Sequence, residues 1–242
     1  MEVHHPHHPT HKKKWSEYII EFVMLFTAVT MGFFAENVRE HMAENEKKRE
    51  LMKIVALDLH RDIKQLEFHK QDASLKFVTC DSIFPVFKMD PKIIDLRLYY
   101  HLLLNHVRYW DFNANNKSRN EADAKGYFRD EENEEIAFNI SKVDFFILDY
   151  KTLDEESVRL RSKLKEVAED LTEHEYYNKY IAFEGDLLPN KIGIKPFDQK
   201  AAKKASYVIS NFKLNYVGQL GDIDSVKKYG NIAIALINKK YN

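Results

Sequence analysis

The sequence predicts a mainly α-helical protein, in which an N-terminal transmembrane helix continues into a long helix that packs in an antiparallel helical bundle. Three observations favour this fold class. One apolar segment covers residues 18–35. Only 7 glycines and 6 prolines occur among 242 residues, too few for the many turns of a β-sandwich or barrel. Further along, apolar residues recur three and four positions apart, which is the period of an amphipathic helix.

This pattern divides the chain into four segments. Residues 1–14 form a flexible histidine-rich tail, residues 15–36 the transmembrane helix, and residues 37–74 a stalk and first bundle helix. Residues 75–242 form a helical extracytoplasmic domain. The roughly 200 residues outside the apolar segment are enough to bury one sizeable core.

The apolar segment reads YIIEFVMLFTAVTMGFFA, with Glu21 as its only charge. A helix of about 20 residues spans a bilayer core, and the residues Lys12–Trp15 supply the basic and aromatic flank of a membrane interface. No small-x-small cleavage site follows, so we expect the segment to be retained rather than removed as a signal peptide. A buried helix of a soluble protein is the alternative, against which the all-round apolar character speaks.

Positive charge near the span predicts its orientation. Lys12–Lys14 lie directly before it, whereas Arg39 is the nearest basic residue after it. The positive-inside tendency therefore predicts a single-pass protein of the cytoplasmic (inner) membrane, with its N-terminus inside and its C-terminal domain in the periplasm.

Glu21 belongs to a possible intramembrane interaction stripe. Leu25, Ala28 and Gly32 follow it at i+4, i+7 and i+11 and therefore share its face of the helix. Small residues let helices approach, and an intramembrane carboxylate needs a polar partner. The stripe thus predicts contact with another membrane protein or with a second copy, unless Glu21 simply reaches the membrane interface.

Five histidines precede the span, and clustered imidazoles can bind zinc, copper or nickel. We expect at most a labile divalent metal there, because prolines forbid a helix and a flexible tail fixes no geometry. The alternative is a solvated, weakly basic tail. The candidate ligands are His4, His5, His7, His8 and His11.

After the span, the charge-dense residues 36–50 continue the helix as a solvated stalk. An amphipathic stretch then carries this helix to about Ser74, with one apolar face formed by Leu51, Val55, Leu59, Ile63 and Leu66. Residues 75–89 are apolar and aromatic but contain Pro85, which excludes a long helix there.

The remaining elements follow from caps and periodicity. Asp90 and Pro91 start a helix that runs to about His106. Residues 107–121 form a loop anchored by Trp110 and Phe112, and Ala122–Phe128 form a short helix or turn ending near Gly126. We then expect two helices within 131–184, the second of which has a coiled-coil-like seam. A loop over 186–197 and a helix over 198–217 follow. A turn at Gly218–Gly221 leads to the last helix, over 222–239.

Composition and motifs identify no catalytic activity. The net charge of −1 argues against nucleic-acid binding. Motifs of metalloproteases, serine hydrolases and nucleotide-binding loops do not occur. The single cysteine, Cys80, lies among apolar residues and is expected in the core.

Asp58 and Asp62 are one helical turn apart and could together bind a metal. The commoner fate of such acids is a solvated face, paired here with Arg61 and Lys64. Several tyrosines could line a ligand pocket between helices, although core duty is more usual; these are Tyr99, Tyr100, Tyr109, Tyr176, Tyr177 and Tyr180.

Residues 18–66 resemble the N-terminal region of uncharacterised single-pass membrane proteins of Bacteroidota. The shared pattern comprises Glu21 early in the span, Gly32 late in it, then Asn37, Glu40 and the Leu57-Asp58-Leu59 core. Residues 124–128 and 143–150 are similar to a later part of that family. The histidine-rich tail and the absence of Asn-Trp-Asn after the span are departures. The resemblance implies an envelope protein of unknown function and transfers no catalytic residue.

We therefore expect a membrane-anchored interaction or scaffold protein of the cell envelope, not an enzyme. Its partners would be the lipid bilayer and, through the stripe, another membrane protein or itself, but no nucleic acid. The alternative is an extracytoplasmic ligand sensor that signals through a partner membrane protein.

Overall fold

The computed structural model describes residues 14–90, 92–174, 177–178 and 198–241. These residues contain α-helices and short 3-10 turns but no strand, which confirms the predicted mainly α class. The helices are α1 (Trp15–Ile83), α2 (Leu96–Asn105), α3 (Lys117–Ala124), α4 (Glu134–Leu171) and α5 (Gln199–Tyr241). The chain divides into two compact units, an N-terminal unit up to Glu50 and a bundle unit from Leu51 onward.

The described part of the N-terminal unit is almost entirely helix. Between Trp15 and Glu50 no side chain is buried. One 18-residue window reaches a mean hydropathy of 1.8, with none of its residues buried. By length and composition this part of α1 is able to cross a membrane.

The bundle unit is built on three long helices. Helix α5 runs antiparallel to α4, because Tyr229 stacks on Phe146 while Asn215 donates a hydrogen bond to the carbonyl of Leu153. Helix α5 also runs antiparallel to the bundle part of α1, since Lys227 pairs with Glu67 and Lys213 with Asp81. The predicted antiparallel helical bundle is therefore present.

Two apolar clusters fill the bundle. One contains Met52, Leu59, Val143 and Ile223. The other contains Cys80, Leu164 and Phe212. The predicted seam of α4 faces this second cluster, with all four of its residues buried: Leu160, Leu164, Val167 and Leu171.

Helix α1 is longer than the sequence predicts. It ends at Ile83 rather than near Ser74, and Cys80 and Ile83 are completely buried. The apolar residues after 74 extend the buried face of the helix instead of leaving it. Pro85 ends it, because a proline disfavours helical geometry in the preceding residue.

Helix α4 is one helix where the sequence predicts two. Its buried face continues through polar positions at the middle, where Ser157 is buried and Asp154 half-buried. Ser157 lies next to Asn215 of α5 and accepts a hydrogen bond from its side-chain amide at 3.3 Å. A polar pair inside the core therefore interrupts the apolar pattern without interrupting the helix.

The predicted turn at Gly218–Gly221 is wrong, because α5 continues through it to Tyr241. A Cβ atom on Gly218 would lie 2.6 Å from Cδ1 of Leu153, and one on Gly230 would lie 2.8 Å from Cδ1 of Ile63. These two glycines allow close helix packing. A single sequence does not distinguish a glycine that allows close helix packing from a glycine that forms a turn, which is why a turn was predicted here.

The segment between α2 and α4 differs in detail. Helix α3 begins at Lys117, earlier than predicted, and Gly126 follows it with φ of 76°, a conformation that favours glycine. Phe112 is buried as expected, whereas Trp110 is half-exposed and packs edge-on against Phe68. Pro91 and the predicted loop over 186–197 lie outside the described residues.

Candidate functional site

A buried ion network joins α1, α3 and α4. The guanidinium of Arg119, 2% exposed, lies 3.1 Å from Oδ2 of Asp62, which is completely buried. Its Nε donates to Oδ1 of Asp144 on α4 at 3.0 Å. One arginine of the short helix α3 thus binds a carboxylate on each of two long helices.

Asp62 and a second acid of α1, Asp58, also bind the residues before and within α3. Asp62 accepts hydrogen bonds from the backbone and side-chain amides of Asn115, at 2.8 and 2.7 Å. Asp58 accepts one from the hydroxyl of Ser118 at 2.7 Å. These bonds hold residues 115–119 against the outer surface of α1.

The predicted solvated face of Asp58 and Asp62 is therefore wrong, although Arg61 does lie 3.3 Å from Asp58. Their carboxylates are bound by amide, hydroxyl and guanidinium donors, and Arg119 provides Asp62 with the counter-charge that a metal would otherwise supply. Among the described residues no group of three or more histidine, cysteine or acidic side chains is arranged to hold a metal ion.

A second polar cluster fixes the segment that leads to α3. The ammonium group of Lys76 donates to the carbonyl of Arg108 and pairs with Asp72 at 2.7 Å. Burial lowers the pKa of Lys76. The guanidinium of Arg161 lies over the ring of Tyr109, 3.8 Å from its centroid, a cation–π contact. The segment is thus fastened to both α1 and α4.

Cys80 lies in an arrangement that resembles a nucleophile with its base. Its sulfur is 3.8 Å from Nε2 of His106, whose Nδ1 is 3.1 Å from the hydroxyl of Tyr216. Burial raises the pKa of Cys80 to about 12 and lowers that of His106 to about 3. A neutral thiol and a neutral imidazole, both completely buried, serve packing rather than nucleophilic attack.

The predicted interaction stripe lies on the exposed surface of α1. Glu21, Leu25, Ala28 and Gly32 are all exposed, and a Cβ atom on Gly32 would meet no atom within 4 Å. Their helical spacing places them on one face, while contact with a second helix stays a prediction. The metal candidates His4, His5, His7, His8 and His11 lie outside the described residues.

A surface groove of about 570 Å³ lies between the C-terminal half of α4 and the first turns of α5. Its walls carry Lys163 on α4 and three lysines on α5, with Val167 and Val208 buried beneath. Of the tyrosines considered above, Tyr177 lines a separate pocket of about 380 Å³, whereas Tyr109 packs under Arg161.

The sequence gives no signal for Arg119 as the centre of the buried network, because its two carboxylates lie 57 and 25 positions away in the chain. Comparison with protein-family models, with curated proteins and with solved structures finds no match to this chain.

Proposed function

We propose that this protein is a single-pass, membrane-anchored interaction or scaffold protein of the cell envelope, with the first part of α1 as its anchor. The observation that supports the proposal is the exposed apolar surface between Tyr18 and Phe34. A helix that is apolar on all sides and buried against nothing in its own unit is stable in a bilayer and unstable in water.

We place the bundle unit in the periplasm and the N-terminus in the cytoplasm. The support is the basic run Lys12–Lys14 directly before the span. Fusions of a periplasm-active and a cytoplasm-active reporter to each end of the chain test this orientation. Activity of the cytoplasmic reporter at the C-terminus would contradict it.

The chemistry of the bundle favours interaction over catalysis. The acids Asp58 and Asp62 are hydrogen-bonded to internal donors, and the Cys80–His106 pair is neutral and inaccessible. We therefore assign the bundle a binding role, and the stripe of Glu21 the contact with another membrane protein or a second copy.

Affinity purification in mild detergent tests the stripe. Replacement of Glu21 by leucine removes the only charge between Tyr18 and Ala35, and we expect loss of a co-purifying partner or a smaller oligomer. Ile20→Leu, on a neighbouring face, is the matched control. The same partners and the same oligomer size for both variants would refute a role of Glu21 in assembly.

A ligand sensor acting through a partner membrane protein is the second candidate. The observation in its favour is the lysine-rich groove between α4 and α5, which has the size of small-molecule sites. A ligand that changes the set of co-purifying proteins would favour the sensor over the scaffold.

A further inference from the structure

We propose that the groove between α4 and α5 binds a phosphate-bearing ligand, with the lysines of both walls contacting the phosphate oxygens. This inference goes beyond the scaffold proposal and does not depend on the membrane orientation. It rests on the shape of the groove, the charge of its walls and the kind of cation that it uses.

The shape follows from two antiparallel helices that present matching ridges. On α4 the exposed side chains Lys163, Glu166 and Asp170 lie at i, i+3 and i+7 and therefore form one row. On α5 the facing row contains Lys200, Lys203, Lys204 and Tyr207. Between the rows the buried valines form an apolar floor.

The walls of the groove carry an excess of positive charge that no nearby carboxylate in the described part of the chain neutralises. Within the described lining, four lysines face two acids, in a chain whose net charge is −1. Some other surface lysines of the bundle are paired with a carboxylate, as Lys70 is with Asp224 and Lys227 with Glu67. Among the described residues none of the four groove lysines has a carboxylate within 4 Å. The groove thus favours a ligand with net negative charge.

The kind of cation favours phosphate over carboxylate. An arginine binds a planar carboxylate through two parallel hydrogen bonds, and no arginine is among the described residues that line the groove. Lysines act as separate point charges that several phosphate oxygens can share. Tyr207, 74% exposed, offers an aromatic face to an apolar part of the ligand.

The acids of the α4 row supply a test of placement. Glu166 lies between Lys163 and Asp170 on the groove wall, so its charge repels an anion bound there. Glu166→Gln should tighten phosphate binding about threefold. If Glu166→Gln only changed the stability of the bundle, it would not strengthen phosphate binding.

The experiment titrates the full chain, purified in neutral detergent, with inorganic pyrophosphate and measures the dissociation constant by calorimetry. We expect saturable binding that weakens as salt rises from about 50 to 300 mM. Lys203→Gln combined with Lys204→Gln should weaken it at least tenfold. The control pair Lys228→Gln and Lys239→Gln removes the same charge from the far end of α5 and should leave binding unchanged.

A second arm distinguishes a free phosphate from a lipid headgroup. The lipid probe is a short-chain phosphatidylglycerol below its micelle-forming concentration, because the anchor would enter a vesicle whatever the groove binds. Displacement of pyrophosphate by this lipid identifies a headgroup. Pyrophosphate binding that the lipid does not displace identifies a free phosphate compound. Absence of saturable binding to both probes, or equal loss in the control pair, would overturn the proposal.

Discussion

Arg119 joins two long helices of the bundle through a pair of carboxylates. Its guanidinium joins Asp62 of α1 to Asp144 of α4, and the Asp62 carboxylate has no contact with water. Removing one partner of such a network leaves a buried charge without compensation, which costs far more than the net value of the pair.

Arg119→Met is therefore expected to lower the free energy of unfolding by about 3–5 kcal/mol. Adding Asp62→Asn should restore part of the loss, because the unpaired charge is then gone. Urea denaturation of the full chain in detergent measures both. Arg159→Ala, an exposed arginine paired with Glu156 one turn away, is the control and should change stability by less than about 0.5 kcal/mol. Equal effects of Arg119→Met and Arg159→Ala would contradict a buried network.

Asp222 gives the bundle a pH-dependent contact. It is buried on α5 beside Asp149 of α4, and burial together with this like charge raises its pKa to about 6. The folded protein therefore binds a proton that the unfolded chain has lost. Stability contributed by this proton is complete below about pH 4 and is lost as pH rises toward 6.

Asp222→Asn should remove this loss, since an amide stays neutral and can donate to Asp149. We expect higher stability of the variant at pH 7, by about 1 kcal/mol, and little difference near pH 4. Thermal unfolding at the two pH values measures the effect. Asp224→Asn, at an exposed position paired with Lys70, is the control. A destabilised Asp222→Asn protein at pH 7 would argue against a protonated contact.

At the scale of elements, the glycines of α5 test the helix packing. Gly230 faces Ile63 and Val143 in the core, whereas Gly221 has no atom within 4 Å of a Cβ position. An added methyl group therefore strains the core at one position and only improves helix propensity at the other.

Gly230→Ala should destabilise the bundle by about 1–2 kcal/mol, whereas Gly221→Ala should stabilise it by about 1 kcal/mol. Chemical denaturation of the two variants beside the unchanged protein measures the difference. Stabilisation by both substitutions would contradict the close approach of α5 to Ile63. Destabilisation by Gly221→Ala would indicate a turn at this position rather than a continuous helix.

The same helices show how far local pattern predicts this fold. The apolar spacing of Leu51–Leu66 and of Leu160–Leu171 predicted two buried faces that the structure contains. The predicted breaks within α4 and α5 were wrong, because Ser157 and Gly218 are explained only by their contacts with another helix. Ser157 is hydrogen-bonded to Asn215, and Gly218 packs against Leu153. Local sequence contains no information about that partner.

For the site residues too, the local sequence predicted burial but not contacts with distant residues. Cys80 was predicted in the core from its apolar neighbours, and it is completely buried. Asp58 and Asp62 were predicted on a solvated face, yet they bind a segment more than 50 positions away. Charge patterns along one helix predict local ion pairs but not a distant arginine.

At the scale of the whole molecule, the proposed function depends on the anchor. The exposed apolar surface from Tyr18 to Phe34 belongs to a chain whose bundle unit has apolar clusters of its own. We therefore expect the apolar side chains between Tyr18 and Phe34 to contact lipid.

Extraction of membranes with alkaline carbonate, followed by flotation with lipid, tests whether residues 18–35 anchor the protein. We expect the full chain to stay in the membrane and to float. Phe26→Lys combined with Val29→Lys, which places two charges within the span, should release it, since each such charge costs about 2.5–3.5 kcal/mol. The matched pair Phe26→Leu and Val29→Leu should stay. Release of the unchanged protein into the soluble fraction would contradict the anchor and the functional proposal that depends on it.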